Sequence, residues 1–470
     1  MQTNNFDISD SGRIIIEDRI FYSTNTDVSG LIENANTKEK GILKEYSSQA
    51  DIEKLDSFGV EVVSAIGNVR GIKNVIYPQV FACKNEENIL DKFYAFTEIP
   101  MGMMNDKVHQ LSKVVSASGF LIYSRVMAAL NLSETLYAVK DFLGQNIISI
   151  HPEDIFVNTE TGEIFVWIEQ WLNEVKEATF EMDFGLSPEW YTREDKKCDE
   201  RDFQYFLSYV IFRLLCNDEP FDGRETLIQF PCLTAEAKRR IYSGQYSFSL
   251  AKGNNAVSEY IGQSLLKKWK ALPSFIRNMF EHNFTSGVAD REVRTEIEHW
   301  LKNMRKLRDC LVYVNGQFRF CDPDMPNRVL FMLVEDYKIP VWPKKALYWY
   351  HVGMPFSESQ NGVIAGISAK EGGYFLNNLS GDVLGATLNN TNVWVHPGKD
   401  IELMEGLTIR LENDTVIKVI NGQKVDQGKI VDVTVADMKS AWDNTLTENQ
   451  LMEDDISPGE LSEDVGEGNK

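Results

Sequence analysis

The sequence predicts an α+β protein: two joined lobes, a small β-rich one and a larger helical one, followed by a separate all-β, sandwich-like unit. Three patterns carry this reading. Short β-branched and aromatic runs broken by turns fill the chain from Gly12 to Phe96. Apolar residues recur at spacings of three and four from Asn105 to Met304, and two-residue alternation returns from Ala346 to Val435. A chain of 470 residues also exceeds the usual size of one domain, so several cores are expected.

The first lobe, residues 13–99, holds the strand-like runs RIIIEDRIFYS, GILKEYSS, NVIYPQVFACK and DKFYAFTEIP, with one helical stretch around Ile52 to Ile66. The second, residues 100–305, holds SRVMAALNLSETLYAVKDFLGQN, RDFQYFLSYVIFRLLCN and LPSFIRNMFEHNF, each with the period of an amphipathic or buried helix. A strand pair, DIFVNTETGEIFVWIEQW, interrupts those helices and turns at Thr161-Gly162. A turn-rich segment, residues 306–340, leads to a β-rich domain at 341–435 with the strands YFLNNLS, TNVWVHP, DIELMEG, LTIRLEN and TVIKVIN. Residues 436–470 are acidic and poor in aromatics, which predicts a disordered tail.

Net charge is -22, with 48 basic against 70 acidic residues, and such a chain repels nucleic acid phosphates and acidic membrane surfaces. Neither is an expected partner. The first residues, MQTNNFDISDSG, lack the basic start and apolar run of a signal peptide, and no stretch has the length of a membrane span. A cytoplasmic location is expected. Cys83, Cys198, Cys216, Cys232, Cys310 and Cys321 include no CxxC pair, which suits free thiols in a reducing compartment. His109, His151, His282, His299, His351 and His396 form no HxxxH or HExxH, and no GxSxG occurs. Metal hydrolase chemistry is therefore unsupported. Short basic patches at Lys267–Pro273 and Lys238–Arg240 read as solvated faces. Trp342, Trp349 and Tyr350 read as domain-interface packing or as an exposed partner site.

The succession of small β lobe, helical lobe and internal hairpin resembles the protein kinase fold. Ile42-Leu43-Lys44-Glu45-Tyr46 is similar to the strand whose lysine meets nucleotide phosphates, and Glu61 stands at the spacing of the helix glutamate that holds this lysine. The alternative is two unrelated surface charges. Thr97-Glu98-Ile99-Pro100-Met101-Gly102 resembles the hinge whose backbone receives adenine. Ile150-His151-Pro152-Glu153-Asp154-Ile155 resembles the catalytic loop, with Pro152 as the anchor of that register. The same register puts Ser149 at the catalytic aspartate, Asp154 at the metal-binding asparagine and Glu169 at the magnesium-binding aspartate. Only Gly30 remains where a glycine-rich loop is expected.

Further on, Ser187-Pro188-Glu189 is similar to the Ala-Pro-Glu motif, and Arg294 to the arginine that pairs with its glutamate. Asp202 falls about one residue from the family's helix-start aspartate. VIFRLLCNDEPFDG, WKALPSFIRNMFEHNF and RTEIEHWLKNM together resemble a bacterial kinase-like family found beside von Willebrand A-type proteins and PP2C-like phosphatases, including tellurite-resistance-type clusters. The resemblance covers about residues 13 to 435. It implies a bilobal protein-kinase-like fold, a degenerate zinc ribbon over 306–340 that lacks two CxxC pairs, and a final β domain faintly similar to forkhead-associated sandwiches.

With the base, the asparagine and the glycines replaced, the resemblance implies a pseudokinase whose catalytic positions Ser149, Asp154 and Glu169 are degenerate. Lys44, Glu61, Glu98 and Glu169 would form at most a vestigial ATP and magnesium site, while Pro152, Glu189 and Arg294 would be structural. No other cofactor or metal is expected. The expected role is an adaptor for a phosphatase or a von Willebrand A-type protein. The alternatives are an atypical Ser/Thr protein kinase and a nucleotide-sensing switch without phosphoryl transfer.

Overall fold

The computed structural model describes residues 6–8, 13–16, 19–23, 30–47, 74–76, 78–84, 90–114, 120–143, 154–167, 187–191, 199–230, 232, 234–258, 260–323, 329–354, 362–370 and 372–422. The expected helix at Ile52–Ile66 and the acidic tail at 436–470 lie outside the described residues. The chain is a mixed α+β protein that divides into two compact units, 1–308 and 309–470.

In the first unit a seven-stranded antiparallel sheet runs in the order β1 (Phe6–Ile8), β2 (Arg13–Ile16), β3 (Arg19–Ser23), β4 (Gly30–Asn34), β5 (Lys40–Tyr46), β8 (Leu90–Ile99) and β7 (Pro78–Lys84). Its alternation is clean. Ile14, Ile16, Phe21, Ile32, Leu43, Tyr94 and Phe96 share one buried cluster. Gly41 makes room for it, because a Cβ there would lie 2.2 Å from Cε2 of Phe96. A second sheet joins β6 (Val75–Ile76), β11 (Ile164–Trp167), β10 (Ile155–Asn158) and β9 (Val108–Gln110), with β6 parallel to β11 and the rest antiparallel.

The helical part is built on α1 (Ile122–Leu143), α2 (Glu200–Cys216), α3 (Arg224–Gln229), α4 (Gln263–Ala271), α5 (Ser274–Phe284) and α6 (Ile297–Cys310), the last of which spans the division between the units. Asp199 starts α2 with a capping box, its carboxylate accepting the Arg201 and Asp202 amides, and Asn217 ends it in the left-handed region. Nearly every residue of α2 is buried, so it is the axis of this core and not an amphipathic surface helix. Phe212 meets Phe248, Phe280 and Phe284 edge-on at 5.8, 5.1 and 5.6 Å, and the wholly buried Trp300 donates its Nε1–H to Ser208 Oγ at 3.2 Å.

The second unit holds the β12 (Leu311–Val314) and β13 (Gln317–Phe320) hairpin and two larger sheets. One has six strands: β15 (Tyr337–Pro340), β14 (Leu330–Val334), β23 (Val416–Asn421), β22 (Thr408–Arg410), β19 (Leu384–Leu388) and β20 (Thr391–Val395). The other has β16 (Ala346–Tyr348), β17 (Val363–Lys370), β18 (Gly373–Asn378) and β21 (Asp400–Glu402). Both sheets feed one core, in which Met332, Ile339, Leu384, Ile409 and Ile417 meet Leu347, Ile364, Ile367 and Leu376. Strands β14 and β15 fall inside the segment 306–340 that the sequence assigns to a ribbon. In the structure they are integral strands of this sandwich, because Leu330–Leu333 pairs with Lys418–Asn421.

Gly162 shows how closely the β10–β11 hairpin and α1 fit. Its φ is 73°, and a Cβ there would lie 2.4 Å from the Ser124 carbonyl oxygen and 2.6 Å from Met127 Cβ. Gly162→Ala is therefore expected to destabilise the first unit by at least about 2 kcal/mol, read as a lowered urea midpoint with an unchanged slope. A cost below about 0.5 kcal/mol would mean that this packing is looser than described.

Candidate functional site

The residues nominated from sequence fall into two groups. Ser149, Pro152 and Glu169 of the expected catalytic loop and metal site, and Glu61 of the expected helix, lie outside the described residues. Lys44, Glu98, Asp154, Glu189 and Arg294 are described.

Lys44 is half-buried on β5, directly opposite Ala95 of β8. Glu98 lies on the neighbouring strand opposite Gly41, and strand parity puts it on the other face of the sheet, with Leu43 and Phe96. There it is exposed and accepts from Arg19 Nη1 at 2.8 Å. The structure thus does not bring Lys44 and Glu98 together. Thr97, on the Lys44 face, is buried, and Met101–Met104 forms a short 3-10 helix directly after the strand. Asp154 is half-buried at the start of β10, where Ile155 and Val157 are wholly buried.

Glu189 and Arg294, 105 residues apart, do come together. Arg294 Nη2 donates to both Glu189 oxygens, at 2.8 and 2.7 Å, in a charge-assisted contact made by a single nitrogen. The arginine side chain is fully buried and its other two nitrogens donate to the backbone: Nε to the Gly287 carbonyl at 2.8 Å and Nη1 to the Arg201 carbonyl at 3.0 Å. Its guanidinium carbon stands 5.1 Å from the centre of the Tyr205 ring. Asn283 fixes the approach by accepting from the Thr295 amide at 2.9 Å and donating to its hydroxyl at 2.7 Å. Burial alone would raise the Glu189 carboxyl, but the hydrogen bonds and charge of Arg294 outweigh it and hold the group below the usual carboxylate range.

Ser187, two residues before Glu189, belongs to an adjoining network. Its hydroxyl donates to buried Asp202, whose other oxygen accepts the Asp199 amide at 2.9 Å. Asp199 is also held by Arg291. A second buried network surrounds Glu219, which accepts from Arg213, from Tyr209 OH at 2.8 Å and from Tyr242 OH at 2.6 Å. Burial, reinforced by the nearby Glu219 and Asp218 carboxylates, pushes Asp222 up to about 7.

The second unit contains a pair that sequence reasoning missed. His351 is fully buried, faces Asp309 Oδ2 at 2.8 Å through Nε2, and accepts the Tyr348 amide at Nδ1, 2.9 Å away. Since the amide donates to Nδ1, the proton sits on Nε2 and is given to the aspartate. Both nitrogens are occupied and no face of the ring is open, so this His/Asp pair is a strut and not a general base. Cys310 and Cys321 stand together at the root of the β12–β13 hairpin, the Cys321 amide donating to the Cys310 carbonyl at 2.7 Å. Burial pushes the Cys310 thiol well up and the Cys321 thiol up to about 11. Among the described residues no group of three or more His, Cys, Asp or Glu side chains is arranged to hold a metal ion. No described helix is long and apolar enough to cross a membrane.

A scan against protein-family models and a search of the curated proteins find no match to this chain.

Two outcomes are expected from these networks. Glu189→Gln and Arg294→Met should each cost about 2 to 4 kcal/mol, and the double variant clearly less than their sum, since one partner alone leaves a buried group unpaired. Because the Glu189 shift is downward, its contribution is complete above about pH 4.3, the unfolded glutamate value, and is lost as pH falls through the lower folded value. Additive single effects in denaturant titrations would show that the pair is not coupled.

For Asp222 the sign reverses. A raised folded value means a destabilisation absent below about pH 4, growing to about pH 7 and full above it. Asp222→Asn should therefore gain about 1 to 3 kcal/mol near pH 8, after allowance for screening, and almost nothing near pH 4. A gain independent of pH would refute this assignment.

Proposed function

We propose that the chain is a catalytically inactive, protein-kinase-like scaffold that presents its two units to protein partners. The observation that carries this reading is the buried Glu189–Arg294 pair. The resemblance of Ser187-Pro188-Glu189 and of Arg294 to a kinase-like helical lobe links these two residues across 105 positions, a link that composition and periodicity do not make. The capping of α2 by Asp199, with Asp202 buried beside Ser187, supports the same reading of this lobe.

Inactivity follows from residue chemistry. Phosphoryl transfer depends on positioning and charge stabilisation, and serine at position 149 cannot accept a proton as a carboxylate does. Glutamate at 169 carries a side chain one methylene longer than the aspartate it replaces, and the stretch STNTDVSGLIEN, from the end of β3 through β4, has only Gly30 for close approach of backbone to phosphate. The proposed partners, a PP2C-like phosphatase or a von Willebrand A-type protein in a bacterial signalling or stress-response system, rest on the family resemblance.

A second reading, nucleotide sensing without transfer, is favoured by Lys44, which stays half-buried on a central strand of the first sheet. The two readings separate in a thermal-shift titration with ATP and magnesium. A scaffold gives no shift, whereas a sensor gives a saturable one that Lys44→Ala abolishes.

Catalytic inactivity has its own check. Incubation with labelled ATP, magnesium or manganese and general protein substrates is expected to give no incorporation above that of Lys44→Ala. Incorporation that depends on Lys44 would show an active kinase and overturn the proposal.

A further inference from the structure

The β12–β13 hairpin of the second unit is a two-stranded sheet whose strands, among the described residues, pair only with each other. A sheet of two strands has little stability of its own. Its ties to the rest of the unit include the Trp342 Nε1–H, which donates to the Tyr313 carbonyl at 3.1 Å, and the Lys344 ammonium, 5.9 Å from the centre of the Tyr313 ring.

The turn fixes which residues oppose each other along the hairpin. Asn315 and Gly316, with φ of 50° and 77°, join Val314 to Gln317 in a two-residue loop. Val314/Gln317 and Val312/Arg319 are then hydrogen-bonded pairs, and the next pair of that kind is Cys310/Cys321. The 2.7 Å hydrogen bond from the Cys321 amide to the Cys310 carbonyl agrees with this count. Two thiols therefore stand opposite each other at the open end, one residue beyond Leu311 and Phe320.

Opposed residues of this kind have Cα atoms about 5.5 Å apart, inside the range of about 4.4 to 6.8 Å that a disulfide bridges. Their Cβ atoms, about 5 Å apart, must approach to about 3.8 Å, so closure draws the strands together, and a bond made under strain is the more easily reduced. The two cysteines also differ in access. Cys321 is half-buried and Cys310 only 1% exposed, so an oxidant in solution meets Cys321 first and leaves Cys310 to resolve the adduct. The Lys345 charge acts on both thiols, favouring the thiolate against the effect of burial.

We propose that Cys310 and Cys321 form a redox-sensitive clamp on the open end of this hairpin, closed by a low-molecular-weight disulfide and reopened by thiols. The Cys321 thiolate attacks one sulfur of the oxidant and expels the first thiolate. Cys310 then attacks the Cys321 sulfur and expels the second. Each cysteine gives its proton to solvent before it reacts, and each expelled thiolate takes one up. The protein loses two electrons and two protons, and the S–S bond of the oxidant becomes two thiols. Under a reducing poise the clamp stays open.

The test treats the full chain with millimolar oxidised glutathione, followed by alkylation, digestion and mass spectrometry. The expected product is a Cys310–Cys321 cross-link, two hydrogens lighter than the dithiol, which dithiothreitol reverses. Burial holds the Cys321 thiol up at about 11, so the rate should rise about tenfold per pH unit from neutrality to about pH 9. Cys310→Ser should instead retain glutathione on Cys321, and Cys321→Ser should leave Cys310 unmodified. Amide exchange over residues 311–320 should slow at least about tenfold on oxidation of the wild type and stay unchanged in Cys310→Ser. The wild-type products decide even where a serine variant fails to fold. Glutathione that persists on Cys321 of the wild type, a cross-link that forms only in urea, or a cross-link that leaves hairpin exchange unchanged would each overturn the proposal.

Discussion

A guanidinium taken out of water must find partners for its donors, and Arg294 finds them on three separate stretches of chain: the short turn at Glu189, the start of α2 through the Arg201 carbonyl, and the Gly287 carbonyl after α5. The Coulombic gain of such a pair is partly offset by desolvation, so its main effect is positional. Any arrangement that separates the three stretches leaves a charge buried without compensation. The surrounding polar contacts follow from this fixed point. With Glu189 held, Ser187 stands beside Asp202, and Asp202 in turn receives the amide of the Asp199 cap that Arg291 also grips. The start of α2 is thereby specified by charge and hydrogen bonding, and its apolar length by the aromatic cluster around Phe212.

The two units use different means to the same end. In the first, one helix buried on nearly all sides takes edge-to-face aromatic contacts, so volume and ring orientation decide the packing. In the second, strand alternation makes the core. The only described charged residue buried with a histidine there is Asp309, set against His351 and the Tyr348 amide. Asp309, His351 and the Tyr348 amide answer one another, which is the condition for keeping them inside, whereas in the first unit the buried Tyr205 hydroxyl has no hydrogen-bond partner among the described residues.

Much of this was legible beforehand because it is periodic or local. Alternation in RIIIEDRIFYS and GILKEYSS marked β2, β3 and β5, and the Gly162 turn marked the β10–β11 hairpin. The Glu189–Arg294 pair was reached only through motif resemblance, since spacing carries no information about contacts 105 residues apart. What stayed hidden was long-range register. Nothing in Leu330–Val334 announces that it pairs with Val416–Asn421, so β14 and β15 read as part of a turn-rich linker. The 42-residue separation of Asp309 and His351 concealed that pair too. The opposite facing of Lys44 and Glu98 follows from strand parity, but only once β5 and β8 are known to be neighbours.

The 105-residue span between Glu189 and Arg294 also bears on how the chain is made. A ribosome releases Glu189, Ser187 and the whole of α2 well before the segment with Gly287, Arg291 and Arg294 has been synthesised. At about 5 to 20 residues per second, that interval lasts on the order of ten seconds. During it, Phe212 has no Phe280 or Phe284 to meet and the Asp199 cap has no Arg291. The helical part can therefore close only late, after residue 294 has emerged, and until then α2, which is buried along nearly its whole length in the folded protein, lacks part of the packing that covers it.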